Sequence, residues 1–139
     1  MDVTLALAAD YANITAEGKL NILGVFTAVN VPQFPFVLPQ MYLVLSYETS
    51  AAELTREVPV QVALLDSENN EVMALSGTIL AQGALRPDGQ VVLNQLVGLV
   101  GLTFSRPGAH RFVISVDGEL KRTIRIQVNE RSGGDHYVG

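Results

Sequence analysis

The sequence predicts an all-β protein, a two-sheet sandwich of about eight strands built as one domain. Three observations carry this. Apolar and polar residues alternate along most of the chain, the period-two signature of half-buried strands. Turn sequences such as Arg86-Pro87-Asp88-Gly89 and Asp117-Gly118 punctuate the runs at sandwich-like intervals. No heptads, helical repeats or short-period repeats interrupt the pattern. The chain has 139 residues, enough for one full core and too few for two. With 48% apolar and 17% charged residues it is the opposite of a disordered composition.

Taken in order, the first strand shows one apolar face, formed by Val3, Leu5, Leu7, Ala9 and Tyr11. A turn at Ala16-Glu17-Gly18-Lys19 leads to a second strand from Leu20 to Val29. Gly24 marks a bulge or a close backbone approach there, and apolar residues on both sides predict partial cover of the second face. Val31 to Pro39 holds three prolines, which exclude a central strand or a helix interior. Its apolar residues Phe34, Phe36, Val37 and Leu38 read either as a plug at one end of the core or as an exposed docking patch. The plug is favoured because large apolar residues are usually buried.

Met41 to Glu48 forms the next strand, followed by a polar loop with a helical turn over Ala51–Leu54. Val58, Val60, Val62 and Leu64 alternate in a strand whose start Pro59 assigns to a sheet edge. Asp66–Asn70 is a hairpin loop and Glu71–Gln82 the return strand. A long run from Val91 to Phe104 follows, broken at Gly98 and Gly101. The terminal hairpin pairs His110–Val116 with Leu120–Val128. Parity favours a three-residue loop, Val116-Asp117-Gly118, with Gly118 left-handed in a bulge, because it sets Ile114 opposite Leu120 and keeps apolar residues on one face. Arg122 fits that register badly, landing opposite Phe112. The domain spans 1–129, and 130–139 reads as a frayed tail.

The chemistry available is narrow. The chain has no cysteine, which removes disulfides and thiol chemistry. The two histidines, His110 and His136, lie in no signature, and no Gly-x-Ser-x-Gly elbow exists. Asp66, Glu68 and Asn70 alternate as in a calcium loop, but Glu71 and Gly77 stand where that loop needs glycine and glutamate. No cofactor is expected. Nucleic acid is disfavoured by a net charge of −5 and by aromatics that do not interleave with bases. The opening residues lack the positive start of a signal peptide, and no run is long enough to span a membrane, so a cytoplasmic protein is expected. Most bases fall late in the chain, and Arg111, Lys121 and Arg125 share a predicted outer face where an anion could bind. Tyr42 is the best candidate for a sugar platform.

Two resemblances add to this. Arg106-Pro107-Gly108-Ala109-His110-Arg111-Phe112, followed by Val116-Asp117-Gly118-Glu119, resembles the late strands of immunoglobulin-like bacterial sandwiches, with His110 in place of their tyrosine. Ala9-Asp10-Tyr11-Ala12-Asn13, Gly18–Phe26, Pro35 and Pro39-Gln40-Met41 resemble a family of short, uncharacterised bacterial proteins with no assigned function. The resemblance implies an immunoglobulin-like topology and no activity. The expected function is a non-catalytic protein-interaction or assembly module, acting through an open sheet edge or Phe34, Phe36, Val37 and Leu38, by self-association or with a protein partner. A small-ligand module for a sugar or anion is the alternative, and a carboxylate hydrolase stands third.

Overall fold

A computed structural model describes residues 1–83 and 85–131. Among these residues nine strands form: β1 Asp2–Ile14, β2 Leu20–Phe26, β3 Ala28–Val31, β4 Phe36–Ser50, β5 Glu57–Leu65, β6 Glu71–Leu80, β7 Gln90–Phe104, β8 Gly108–Val116 and β9 Glu119–Glu130. A 3-10 turn, Ala51–Glu53, stands where the helical turn was expected. Two sheets pack face to face, a four-stranded one in the order β2-β1-β4-β7 and a five-stranded one in the order β3-β9-β8-β5-β6. The core between them alternates as the sequence requires. Leu43, Leu45 and Tyr47 of β4 meet Val60, Val62 and Leu64 of β5 and Phe112, Ile114 and Val116 of β8 in one buried cluster.

The second expected strand is two strands in different sheets. β2 pairs with β1, whereas β3 pairs in parallel with β9, and the break falls at Thr27. The Thr27 carbonyl accepts the Gln127 N–H at 2.9 Å, so the chain crosses between sheets without stranding that group. In β1 the inward face is the expected one at Val3 but not beyond it. A register shift between Val3 and Leu5 rotates the strand, so Ala6 and Ala8 pack on the core and Leu5 and Leu7 turn to the other face.

Both proline assignments hold locally. β5 lies inside its sheet, between β8 and β6, but at Pro59 it has β6 alone as neighbour, so the start of the strand is an edge as expected. Pairing with β8 starts only at Val60, and the missing N–H falls beyond the end of that ladder. Pro39 lies within β4, a strand flanked on both sides. Pairing with β1 reaches only Tyr42, so the stretch around Pro39 has β7 alone as neighbour and behaves as an edge. Opposite it is Gly101, with φ +69°, a left-handed conformation that glycine takes without a Cβ penalty. On either side of this point the buried parity changes, from Met41 and Leu99 to Leu38, Leu102 and Phe104. The ribbon thus turns over without breaking, and β7 continues through both glycines.

The terminal hairpin closes with a two-residue turn, not the expected three-residue loop. Val116 pairs with Glu119, and Asp117 and Gly118 have φ of 55° and 80°, as in a type I′ turn. Asp117 donates its N–H to the Pro59 carbonyl at 2.8 Å, and its carboxylate accepts from Arg56 at 2.6 Å, which pins the turn. The apolar faces are matched by a bulge between Ile114 and Ser115 instead. Phe112 then faces Ile124, while Leu120 is left 59% exposed. Arg122 sits opposite Ile114 on the inward face and reaches past the end of the core to donate to the Val3 carbonyl of the other sheet at 3.1 Å.

The tip of the β1–β2 hairpin folds back over the outer face of its own sheet. Asn94 of β7 is level with Ser46 and Leu5, yet its amide donates to the Gly18 carbonyl at 3.4 Å. An extended hairpin would carry Gly18 roughly 30 Å or more away, at about 3.3 Å per residue. β1 also approaches β7 although β4 lies between them. Gly24 makes the bend possible: its φ is +67°, and a Cβ there would run into the Asp10 carboxylate. The cover is visible in burial, since Ala9 and Val44 are shielded although the second sheet lies on the other side.

Candidate interaction surface

β6 and β7 are the outer strands of the two sheets on the same flank of the sandwich. They approach each other but form no ladder. Three hollows of about 210, 300 and 330 Å³ follow one another between them. The first is lined by Leu75 and Gly77 of β6 with Gln95 and Val97 of β7, the second by Ile79 and Leu80 with Leu93 and Asn94. The third lies between Val72 and Met73 and the segment around Val100. Together they make one apolar seam along both strands. Tyr47 forms part of its floor; burial pushes the hydroxyl pKa up, and the hydroxyl donates to the Gln95 carbonyl oxygen at 2.6 Å.

The rims of the seam carry almost no charge. β7 has none in fifteen residues, and β6 has only Glu71 at its start. Leu75, Leu80 and Val100 are 42%, 43% and 79% exposed. An edge strand presents unpaired N–H and C=O groups, and proteins usually blunt it with charges, proline or shortness. The opposite flank is blunted in that way: β3 is four residues long, and β2 is bent by Gly24. Sequence reading noted the long run of β7 but took it as interrupted. Its lack of charge was a legible signal; its edge position was not.

The residues singled out from sequence lie elsewhere. Phe34, Phe36 and Leu38 pack against the core, and Val37 alone of that group is exposed, at 54%. The segment is therefore a plug more than a displayed patch. Arg111 and Arg125 are brought directly opposite each other across β8 and β9. Lys121 is not brought to them: it is half-buried beside Glu119, at 3.4 Å, and Asp2, at 3.9 Å. Arg111 donates to the Asn69 side chain at 2.7 Å. Tyr42 lies over Gly98 and meets Tyr11 edge to face at 5.6 Å. His110 is fully buried against Phe104. The expected tail lies, from Ser132 onward, outside the described residues, as does His136.

Asp66 caps its own hairpin. Its carboxylate accepts the N–H groups of Glu68 and Asn70 at 2.8 and 2.9 Å and faces Arg106. Burial alone would raise its pKa, but these hydrogen bonds and the Arg106 charge outweigh it and hold the carboxyl below its ordinary value. Among the described residues no group of three metal-binding side chains converges. No helix among them is long and apolar enough to cross a membrane.

These features define a β-sandwich with one open, uncharged flank. The chain belongs to a family of unknown function, DUF6941, whose pattern matches residues 4–129. No curated protein matches it. Among solved structures it is similar to the Pseudomonas fluorescens alkylpurine DNA glycosylase AlkC bound to DNA with an abasic site analog, at 12% identity and a TM-score of 0.45 over 89% of this chain. It is also similar to a glycosyl hydrolase family 2 member from Bacteroides cellulosilyticus DSM 14838, at 10% identity and a TM-score of 0.40 over 75% of this chain. The chain spans only 30% and 16% of those two proteins.

Proposed function

We propose that this chain is a non-catalytic protein-interaction or assembly module that binds through the seam between β6 and β7. The observation that carries this is the pairing of two long edge strands, nearly free of charge, around one apolar groove. Such edges are templates for added strands. The strand order supports an immunoglobulin-like reading. β9, β8 and β5 lie side by side as G, F and C strands do, and β4 beside β7 as B and E do. The cysteine-free composition suits the cytoplasmic setting expected from sequence.

The test is solution mass by light scattering over a concentration series, with partner capture alongside, for the native chain and for Leu75→Lys combined with Val100→Lys. Association or capture that the two lysines abolish is the expected result. Association that survives them moves the interface away from the seam. A ligand module is kept as a second reading on one observation. Arg111 and Arg125 are like charges placed directly opposite, an arrangement that an anion would relieve. Thermal stabilisation by phosphate or sulfate, lost in Arg125→Gln, would favour it.

A further inference from the structure

We infer that the seam takes one extended strand from a different protein chain, added antiparallel to the outer side of β7, with uncharged side chains that alternate apolar and polar. This rests on the seam being the contact surface and specifies what fills it. In the immunoglobulin arrangement the strand in the position of β7 has a further strand, D, beside it. Here β6 leads to β7 through residues 81–89, and among the described residues only Leu85 pairs with the outer side of β7, in a lone bridge to Val91 at the start of the strand, so the edge from Val92 onward is free. An added strand therefore completes a sheet that the chain itself leaves one strand short.

The hollows show why the occupant is an extended segment and not a second copy of β7. Strand addition draws affinity from main-chain hydrogen bonds and specificity from pockets that receive alternate side chains. The hollows succeed one another along β7, beside Leu93, Val97 and Leu99 in turn, on the row that an added strand's inward side chains would follow. The β7 of a second copy cannot supply those side chains, because its own inward residues Val91, Leu99 and Phe104 are already buried in its core. The absence of charge on both rims fixes the chemistry of the occupant. A charged side chain in the seam would lose water and gain no counter-charge.

The experiment is selection of binders to the full chain from a random displayed-peptide library, followed by amide hydrogen exchange with the most enriched synthetic peptide. The expected result is enrichment of uncharged sequences alternating apolar and polar residues, with new protection at alternate amides of β7. Val100→Lys with Leu75→Lys should weaken that peptide about tenfold or more. No enrichment, or enriched peptides that protect amides away from β7, overturns the inference. So does protection of β7 amides by self-association without peptide, which assigns the edge to a second copy. The two levels fail differently: if the lysines abolish association or capture while β7 amides stay unprotected in the complex, the seam stands and the added strand falls. If the lysines change nothing, the seam itself falls.

Discussion

The two flanks of this sandwich solve the same problem in opposite ways. On one side, β2 and β3 end the sheets in short or bent strands, and the β1–β2 tip is folded onto the sheet and tied to Asn94. On the other, β6 and β7 run long and nearly uncharged beside an open groove. The difference shows that edge protection is available to this fold and is applied on one side only. An unprotected edge is a hazard in a free protein, so its persistence opposite a protected one is what a binding surface looks like. The blunted flank should answer mutation with lost stability, and the open flank with lost association.

The largest expected effect contrasts two residues of one strand. Phe104→Ala removes a fully buried ring where the β4–β7 ribbon turns over, and should cost about 3–5 kcal/mol in chemical denaturation. Val100→Lys, four positions away and mostly exposed, should stay within about 0.5 kcal/mol of the native chain. If both were costly, the seam would be a structural edge and not a free one. On the blunted flank, Gly24→Val forces a left-handed backbone on a β-branched residue and a clash with Asp10, for a loss of about 1–3 kcal/mol. The Val44 amide should then exchange faster as the hairpin tip lifts.

A smaller effect is expected from Tyr47→Phe, which strips the Gln95 side chain of its bond at the floor of the seam, for about 1 kcal/mol. Its association should change more than its stability if the floor shapes the groove. The Asp66 hairpin gives a pH signature. A carboxyl whose folded pKa is depressed adds stability above its unfolded value, about 3.9, and loses it as pH falls through the folded value. Asp66→Asn should therefore be less stable near neutrality and show a flatter acid limb in pH-dependent denaturation.

Much of the fold was legible in the chain. Alternation named Leu43, Leu45 and Tyr47, and Phe112, Ile114 and Val116, as core faces, because a pleated strand sends successive side chains to opposite sides. Parity also demanded a bulge in the terminal hairpin and marked Arg122 as the misfit. It placed the bulge in the loop, because sequence does not record that Asp117 is held by Pro59 and Arg56. In β1 the parity reading held at Val3 and failed beyond it, since a bulge between Val3 and Leu5 turned Ala6 and Ala8 inward in place of Leu5 and Leu7.

The candidate surface was less legible. Large apolar residues between prolines drew attention to Phe34, Phe36, Val37 and Leu38, yet three of these four pack on the core. The seam drew none, because Leu75, Val97 and Val100 read locally as ordinary strand residues. Sequence by itself determined the element type, the alternation, the uncharged character of β7 and the chemistry that composition rules out. These are properties of single segments, written in local periodicity and residue type. Only the tertiary structure decided that Leu20–Val31 is shared between two sheets, that β5 is interior, that a hairpin folds over its own sheet, and that β6 and β7 are neighbouring edges. Each of those depends on which strands lie side by side, and strand adjacency is set by long-range packing that no local pattern encodes.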